Sequence, residues 1–318
     1  MTTPRALRIA TRGSRLALWQ AHAVADRLRA VGVETDIAVF TTTGDRSQHA
    51  PVAGDDSKRQ FVKELEDALL RGDADLAVHS AKDLPVDLPG DLAVAACLPR
   101  EDPRDGIVLP HSTGAVPMDN VLRLLGPAAR IGTGSVRRAA QLSSLCPGAI
   151  FGPIRGNVDT RLAKLDDGGF DALVLACAGL RRLGFAERIS AAIPVDQCVP
   201  APGQGIVAVE IRGDSQVLRD TLGRIHDEAA GRALVAERAL VAAIGGGCQI
   251  PLGAIAEERE GRLEMLAVVA SLDGSQSVRA SMSGSPADPE ELGRRLAEVL
   301  ERKGAMALLD QARTDSTR

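Results

Sequence analysis

The chain of 318 residues is long enough for two or three domains, and its 45% hydrophobic and 25% charged residues are ordinary for a soluble globular protein. Its net charge of −4 excludes a global basic field that would attract nucleic acid or an anionic membrane. One tryptophan, five phenylalanines and no tyrosine also exclude the aromatic platforms that bind single-stranded nucleic acid. Any anion site is therefore expected to be a local cluster of arginines and lysines.

The five cysteines are odd in number and widely spaced, without a C-x-x-C motif or a Cys/His pair at metal-ligand spacing. This pattern predicts neither a disulfide framework nor a metal site. The first residues lack the apolar run of a signal peptide, and no segment approaches the length of a membrane span. We therefore expect a cytoplasmic protein with reduced thiols that uses no metal, membrane or nucleic acid.

The N-terminal segment predicts a strand, a turn and a helix. Residues 6–10 form a short apolar run, Arg12 lies in the turn, and Ser14 can cap a helix over residues 15–30. Backbone donors and an arginine at a helix N-terminus are suited to holding an anion. A plain strand-to-helix turn is the alternative, and this stretch alone does not decide between them.

A long polar segment separates a second strand, predicted over residues 35–41, from a helix predicted over residues 61–70. This segment, residues 42–60, carries Lys58 near its end. Loops of this length that have no secondary structure of their own are typically lids over a site or disordered segments. A lid over a site and a solvated loop both remain open.

The strand predicted over residues 76–79 runs into a turn that carries Lys82 and Asp83. In open α/β sheets, ligands gather outside the carboxyl ends of strands. A functional carboxylate beside a lysine and a salt-bridged surface pair are the two interpretations. A further strand over residues 92–98 precedes a polar segment, residues 100–105, which we interpret as a crossing between domains.

The middle of the chain repeats one device, in which a strand ends at a glycine-containing turn followed by arginine. Ser135 can cap a helix whose first turn holds Arg137 and Arg138, where the helix dipole disfavours cations, so a bound anion explains the placement better than chance. The arginines of this segment at strand ends or helix starts are Arg137, Arg138, Arg155, Arg161 and Arg182. They predict a pocket for a phosphate or a polycarboxylate, with scattered surface arginines as the alternative.

The C-terminal third begins with a rigid Pro/Gly turn around Gln204 and a strand over residues 206–211 that is expected to return to the first domain. A helical pattern over residues 214–243, broken near residues 226–227, follows this strand. The remaining predicted elements are strands over residues 262–270 and 278–282, a helix over residues 288–303 and a frayed tail from residue 314 to residue 318.

Between these elements stands the run Gly245-Gly-Gly-Cys248, closed by Pro251. Glycines allow the backbone to adopt positive φ, and proline removes a backbone donor. One interpretation is a helix C-cap with Cys248 packed as a small hydrophobic residue. The other is a presented thiol that attacks a substrate or carries a permanently attached group.

Short stretches over nearly the whole chain together carry a resemblance to a known family. They are residues 10–14 with 18–20, 61–66, 77–85, 100–105, 135–138, 155–157 with 160–161, 178–180, 202–205 and 246–251. In their order and spacing they resemble the porphobilinogen deaminase family. No single stretch is specific, but the set is.

The resemblance implies an α/β fold with two domains like the halves of a type II periplasmic binding protein, built on mixed sheets, and a small α+β C-terminal domain. It places the first domain at residues 1–100 and 201–221, the second at 106–200 and the third at 222–318. The active site would be the cleft between the first two domains, and the protein is expected to be a monomer.

The resemblance also implies a reaction. Members of the family join four porphobilinogen molecules head to tail, releasing ammonia, to give hydroxymethylbilane for tetrapyrrole biosynthesis. Their primer is a dipyrromethane cofactor, held through a thioether by a cysteine that matches Cys248. The family's catalytic carboxylate matches Asp83, which would stabilise the cationic azafulvene left by ammonia and move protons at the pyrroles.

Each pyrrole carries an acetate and a propionate, and enclosed carboxylates need arginine partners to offset their desolvation. By resemblance, the residues that bind the cofactor are Cys248, Lys82, Ser80, Thr133, Ser135, Arg137, Arg138, Arg155 and Gly156. By resemblance, the residues that bind substrate are Arg12, Ser14, Gln20, Lys58, Phe61, Arg161, Arg182 and Gln204.

The sequence departs from the family in the segment before the helix at Phe61, which reads Asp56-Ser-Lys-Arg-Gln, and at Gly13, where some members have a larger residue. These departures affect the expected contacts of the lid and leave the reaction unchanged. The alternative function is a two-lobed protein that binds an anionic small molecule without chemistry. A redox-sensing thiol is a third interpretation, disfavoured because no second cysteine lies near Cys248 in the sequence.

Overall fold

The computed structural model describes residues 5–42, 56–111, 114–245 and 250–316, with the side chains of residues 56–61 and 316 outside the description. Its strands are β1 (Leu7–Arg12), β2 (Thr35–Phe40), β3 (Leu76–Ser80), β4 (Leu92–Cys97), β5 (Asp105–Val108), β6 (Arg130–Gly132), β7 (Ile150–Gly152), β8 (Ala172–Ala176), β9 (Ala191–Ala192), β10 (Val207–Arg212), β11 (Leu252–Arg259), β12 (Arg262–Ala270) and β13 (Ser277–Gly284). Its helices are α1 (Arg15–Ala30), α2 (Asp56–Arg71), α3 (Met118–Leu125), α4 (Val136–Leu142), α5 (Val158–Asp166), α6 (Cys177–Arg182), α7 (Gln216–Gly223), α8 (Glu228–Ala243), α9 (Pro289–Arg302) and α10 (Ala305–Ser316).

The chain divides into two compact units, a first unit of residues 1–101 and 206–234 and a second unit of residues 102–205 and 235–318. The described part of the first unit holds a five-stranded sheet in the order β2-β1-β3-β10-β4. Strands β1, β2 and β3 are parallel, and β10 runs antiparallel to both of its neighbours. The strand predicted to return to the first domain therefore does so, as β10.

The sheet of the first unit is covered by α1, whose apolar stripe follows the helical period. Ser14 caps this helix by accepting a hydrogen bond from the backbone N–H of Ala17. Ala21, Val24 and Leu28 recur at three- and four-residue spacing and are fully buried against the sheet. The predicted bounds of α1 are confirmed because the cap and the stripe agree.

The described part of the second unit holds a sheet with the same plan, in the order β7-β6-β8-β5-β9. Strands β6, β7 and β8 are parallel, and β5 is antiparallel to β8. Ile107, Ile131 and Val174 lie in its core, which α3 and α4 help to cover. In both units the parallel strands end at one edge of the sheet, where turns carry the polar residues.

The C-terminal part of the second unit is an antiparallel sheet in the order β11-β12-β13, packed against α9 and α10. Leu292, Leu296 and Leu300 form the buried stripe of α9. This small sheet and its helices, together with the two mixed sheets, confirm the predicted α/β class with an α+β C-terminal region. The division into three domains stays a prediction. No helix within the described ranges has the length and apolar character that crossing a membrane requires.

Several predicted boundaries were wrong. The predicted polar loop over residues 42–60 is too long, because α2 already begins at Asp56, where lysine, arginine and glutamine are good helix formers. Strand β11 was missed because polar and apolar residues do not alternate along its sequence. Only its pairing with β12 defines it as a strand. The predicted fraying from residue 314 is wrong as far as residue 316, since α10 continues to Ser316.

The packing of α9 on α8 depends on a glycine. A Cβ at Gly293 would lie 2.2 Å from the carbonyl oxygen of Ala236 and 2.9 Å from the Cβ of Ala239. We expect Gly293→Ala to lower the free energy of unfolding by about 1–3 kcal/mol, because the helices must separate. Urea denaturation measures this change. Gly223→Ala is the control, since its Cβ would meet nothing within 4 Å, and it should stabilise by up to about 1 kcal/mol. Equal effects of the two variants would contradict this view of the α8–α9 contact.

Candidate active site

A recess at the carboxyl edge of the first unit's sheet brings several of the predicted residues together. It is lined by Arg12, Ser14, Leu16, Ala17, Gln20, Val62, Val78, His79, Ser80 and Asp83. Strands β1 and β3 are parallel neighbours, so the turns that follow them meet at this edge. Arg12, Ser14, Gln20, Ser80 and Asp83 were all predicted as site residues from the sequence.

A hydrogen bond inside this recess joins two of these residues. The buried Gln20 donates from Nε2 to the Ser80 hydroxyl over 2.8 Å. Gln20 therefore orients Ser80, whatever further contact it makes. The Ser14 hydroxyl is engaged as the cap of α1, at 3.2 Å from the Ala17 nitrogen.

Lys82 and Asp83 lie on a 3₁₀ helix, Ala81–Asp83, that is anchored at both ends. The backbone N–H of Ala81 donates to the carbonyl of Ile206 over 3.0 Å, and the side chains of Ala81 and Leu84 are buried. The side chains of Lys82 and Asp83 are half-buried. A carboxylate on such an anchored turn is held in place before any ligand arrives, which is what a catalytic group requires.

The second unit contains a buried cluster in which two arginines share one carboxylate. Arg137 lies 2.7 Å from Asp105 Oδ2 and donates to the Val199 carbonyl over 2.7 Å. Arg138 donates from Nε to Asp105 Oδ1 over 2.9 Å and from Nη1 to the Val174 carbonyl over 3.0 Å. The exposed fractions of these side chains are 5% for Arg137, 8% for Arg138 and 0% for Asp105. The anion predicted for the first turn of α4 is thus supplied, at least in part, by the protein itself.

The cluster keeps a net positive charge. Burial alone would raise the pKa of Asp105, but the charges of Arg137 and Arg138 and hydrogen bonds from Arg137 and Gln204 outweigh it and hold this pKa well below 3.8. Burial raises the pKa of the adjacent Cys198 thiol to about 12, so this group is neutral. Two guanidinium charges against one carboxylate leave one positive charge in the cluster.

An unused donor accompanies that charge. The Arg137 Nε is buried and has no hydrogen-bond partner among the residues that the structure describes. Buried donors are normally paired, so this atom marks a place for a further acceptor. The excess charge and the open donor both fit one carboxylate of a ligand.

Gln204 belongs to the same cluster. Its Nε2 donates to Asp105 Oδ1 over 2.9 Å and to the Pro103 carbonyl over 2.7 Å. Arg182, at the end of α6, donates to the carbonyl of Gly205 over 2.6 Å. The Pro/Gly turn predicted around Gln204 is therefore bonded directly to Arg182 and, through Asp105, to Arg137 and Arg138.

The turns after β6 and β7 abut each other. The Thr133 hydroxyl accepts a hydrogen bond from the Ser135 N–H, and Ser135 caps α4 through the Arg138 N–H. A Cβ at Gly134 would lie 3.2 Å from the carbonyl oxygen of Ile154, so only a small residue fits between the turns. Thr133 and Ser135 thus stand beside the turn that leads to Arg155.

The turn after β7 and the helix α5 that follows it carry three more of the predicted residues. Arg155 is exposed, and Gly156 has φ +107, which a side chain rarely tolerates. Arg161 donates from Nε to the Gly156 carbonyl over 2.7 Å. Asn157 occupies the N-cap position of α5, where its side chain makes no capping hydrogen bond.

The side chains of three predicted residues lie outside the part of the chain that the structure describes. Cys248 lies outside the described residues. Lys58 and Phe61 belong to α2 by their backbone, and their side chains are outside the description. The described residues before Cys248 show that α8 ends at Ala243 and that Gly245 has φ +67, as the predicted helix end requires.

Two buried carboxylates were missed from the sequence. Asp105 opens a buried strand, and an acidic residue at the first position of an apolar run was the available signal. Glu237 is fully buried on α8 and accepts hydrogen bonds from the N–H groups of Gly203, over 2.5 Å, and Ala256, over 2.7 Å. Its signal was an acidic residue on the apolar face of a helix.

Within the described residues, no group of three His, Cys, Asp or Glu side chains is placed to hold a metal.

Together these features define an α/β protein with cationic and polar side chains gathered at the ends of its parallel strands. Comparison with known proteins gives the family. The model of the porphobilinogen deaminase dipyrromethane cofactor-binding domain matches residues 7–220, and the model of the porphobilinogen deaminase C-terminal domain matches residues 232–302. A porphobilinogen deaminase of Syntrophomonas wolfei is 43% identical over 311 residues, which cover 97% of this chain and 99% of that protein. The chain belongs to the porphobilinogen deaminase family.

The chain therefore carries a dipyrromethane cofactor and polymerises porphobilinogen to hydroxymethylbilane, with release of ammonia. Among solved structures, the periplasmic VFT2 domain of Bordetella pertussis BvgS matches 69% of this chain and 86% of its own, with 17% identity and a TM-score of 0.41. A periplasmic substrate-binding protein of a Coxiella burnetii ABC transporter matches 70% and 92%, with 12% identity and a TM-score of 0.43. Both scores are below 0.5, so the strand order of the two sheets defines the fold.

We expect Asp105→Asn to lower the free energy of unfolding by about 3–5 kcal/mol, because it leaves two buried guanidinium groups without their carboxylate. The folded-state pKa of Asp105 lies below the unfolded value, so its contribution is present above about pH 4 and is lost as the pH falls through the lower folded value. The difference between the two proteins in urea denaturation should therefore be constant above about pH 5 and shrink in stronger acid.

The control for this comparison is Asp36→Asn, at an exposed position of β2, which should change the free energy of unfolding by less than about 0.5 kcal/mol. A loss as small as that for Asp105→Asn would show that the arginines do not depend on this carboxylate.

Proposed function

We propose that Asp83 is the catalytic carboxylate, that Cys248 holds the dipyrromethane through a thioether, and that the strand-end arginines bind the carboxylates of cofactor and substrate. The observation that supports this most is the buried pair of Arg137 and Arg138, which carries one positive charge more than Asp105 neutralises. An enzyme that adds carboxylate-bearing pyrroles to a fixed primer needs a binding site for that primer with a permanent positive charge.

The cofactor fits the residues present. The open Nε of Arg137 and the excess charge suit one of its carboxylates, and Ser135 and Thr133 stand on the adjoining turn. The residues proposed to hold the cofactor are Cys248, Lys82, Ser80, Thr133, Ser135, Arg137, Arg138, Arg155 and Gly156. When bound, the dipyrromethane supplies the pyrrole carbon to which the first substrate unit is joined.

The substrate is proposed to contact a second set of residues, Arg12, Ser14, Gln20, Lys58, Phe61, Arg161, Arg182 and Gln204. Arg161 and Arg182 donate to the backbone carbonyls of Gly156 and Gly205. Bonds of this kind to a neutral acceptor are weaker than bonds to a carboxylate. A substrate carboxylate would be a stronger acceptor for these guanidinium groups than either carbonyl.

Asp83 is proposed to act on the pyrrole nitrogen of the substrate. When the aminomethyl group leaves as ammonia, positive charge develops on the ring, and a carboxylate held within hydrogen-bond reach of the ring N–H stabilises it. The aminomethyl group leaves as ammonia from its protonated form, and the same carboxylate can then accept the proton that the attacked ring releases. The anchored turn of Ala81–Asp83 keeps the carboxylate in place through repeated additions.

The attachment site is tested by the intact mass of the freshly purified protein. The wild-type chain should carry the extra mass of two linked pyrroles and give the colour of pyrroles with Ehrlich's aldehyde reagent. Cys248→Ser should lose both, because serine offers no thiol. Cys146→Ser, at a half-buried free cysteine, is the control and should keep the full mass. Normal pyrrole mass on Cys248→Ser would refute this attachment site.

If the wild-type protein shows only its polypeptide mass, incubation with porphobilinogen decides the outcome. A gain of pyrrole mass then identifies an apoprotein that loads itself. Continued failure to gain mass would favour the alternative, a protein that binds an anionic small molecule without chemistry.

The role of Asp83 is tested by Asp83→Asn, which keeps the shape of the side chain and removes its charge. Turnover of porphobilinogen should fall by about 10²–10⁴-fold, the range for a lost general acid–base group, while the cofactor mass is retained. Asp87→Asn, at an exposed position four residues further on, should keep normal turnover. Ordinary turnover in Asp83→Asn would remove this residue from the mechanism.

We also propose the three-domain division given by the sequence, a cytoplasmic location and a monomeric state. The two family models, at residues 7–220 and 232–302, support a separate C-terminal domain. Among the described residues, Cys97, Cys146, Cys177 and Cys198 form no disulfide, which supports a reducing compartment. Light scattering after size exclusion tests the monomer.

A further inference from the structure

The loop between β12 and β13, residues 271–276, packs on the end of the helix that carries the arginine pair. A Cβ at Gly274 would lie 2.3 Å from the carbonyl oxygen of Ala140 and 2.7 Å from the Cβ of Ser143. Real Cβ atoms essentially never approach so closely, so the loop backbone touches the helix directly. Gly274 also has φ +72.

The loop holds its own shape through hydrogen bonds. Asp273 accepts from the Ser271 hydroxyl over 2.5 Å and from the N–H of Ser275 over 3.1 Å. The N–H of Gln276 donates to the Ser271 hydroxyl over 3.0 Å. The hydrogen bonds to Asp273 lower its pKa, so the carboxylate that organises the loop stays charged at neutral pH. The surface that meets the helix is therefore formed by a rigid loop.

The opposite end of the helix is held by its arginines. Helix α4 has only seven residues, Val136–Leu142, and its first turn carries Arg137 and Arg138. Their guanidinium groups are fixed by Asp105 and by the carbonyls of Val174 and Val199. A helix of two turns moves as one body, so a displacement of its backbone at Ala140 also shifts the backbone of Arg137 and Arg138. Their guanidinium groups are then displaced from the partners that fix them. Close-packed interiors transmit such shifts.

We propose that the loop of residues 271–276 is a positioning element for the cofactor site, through which the C-terminal region of the chain sets the placement of Arg137 and Arg138. This proposal rests on the proposed role of the arginine pair in holding the dipyrromethane. Gly274 acts through helix α4 and touches neither cofactor nor substrate.

The test compares Gly274→Ala with Gly261→Ala. Gly261 lies in the turn between β11 and β12 with φ +73, so alanine meets the same backbone strain there, but its Cβ would have nothing within 4 Å. Both variants are made as full-length apoprotein in a host that cannot make porphobilinogen. The rate at which each gains pyrrole mass from added porphobilinogen is then followed by intact-mass spectrometry.

Gly274→Ala should load at least about tenfold more slowly than the wild type, since a shift below 1 Å is enough to spoil a site of this precision. Gly261→Ala should load within about twofold of the wild type. Hydrogen exchange of the apoproteins should show faster exchange at the amides of residues 139–143 in Gly274→Ala and no change there in Gly261→Ala. Equal loading by the two variants would overturn the proposal.

Two further variants keep the outcomes separable. Asp273→Ala loosens the loop without adding a side chain. It should slow loading even if Gly274→Ala does not fold, and normal loading by Asp273→Ala in that case would overturn the proposal.

Arg138→Leu tests the arginine pair itself. Normal loading by Arg138→Leu would refute the proposed role of the pair, whereas impaired loading by it together with normal loading by Gly274→Ala would refute the positioning role of the loop alone.

Discussion

The second unit depends on one buried ionic contact, in which Asp105 lies between Arg137 and Arg138. None of the three charges can be buried alone, because the desolvation of a single charge exceeds what the surrounding dipoles return. The contact therefore fixes three elements at once, since β5 supplies the carboxylate, α4 the guanidinium groups and the turn at Gln204 a further donor. It also leaves one positive charge, so the residues that hold this core together are the same ones that we propose as an anion site.

Much of this could be predicted from the sequence where the signals are local. The start of α1 follows from the Ser14 cap, a signal that lies within the same segment. The unfavourable charge in the first turn of α4 predicted a bound anion, and the structure places a carboxylate of the protein, Asp105, against it. Its identity could not be predicted, because Asp105 is 33 residues away in the chain and meets the arginine only through the pairing of β5 with β8. Strand β11 was missed for the same reason, since its partner and not its own sequence fixes it.

The candidate site shows a similar division. Residues that follow parallel strands, such as Arg12 and Ser80, could be placed together, because neighbouring parallel strands deliver their turns to one edge of a sheet. The internal bond between Gln20 and Ser80 could not be foreseen, since it depends on the rotation of α1 about its axis. The buried Glu237 is a similar case. A carboxylate on the apolar face of a helix can be explained only once the N–H groups that donate hydrogen bonds to it are known.

The arginines fall into two kinds, and the difference matches two tasks. Arg137 and Arg138 are buried and bound to a carboxylate, so exchanging their partner would expose an unpaired charge at high cost. Arg161 and Arg182 are half-buried, and each donates to a backbone carbonyl, which is a neutral acceptor. A group that stays attached through every addition is best held by the first kind. A product that lengthens by one unit at a time must change its contacts at each addition, and we propose the second kind of arginine for that task because a carboxylate is a stronger acceptor than a carbonyl.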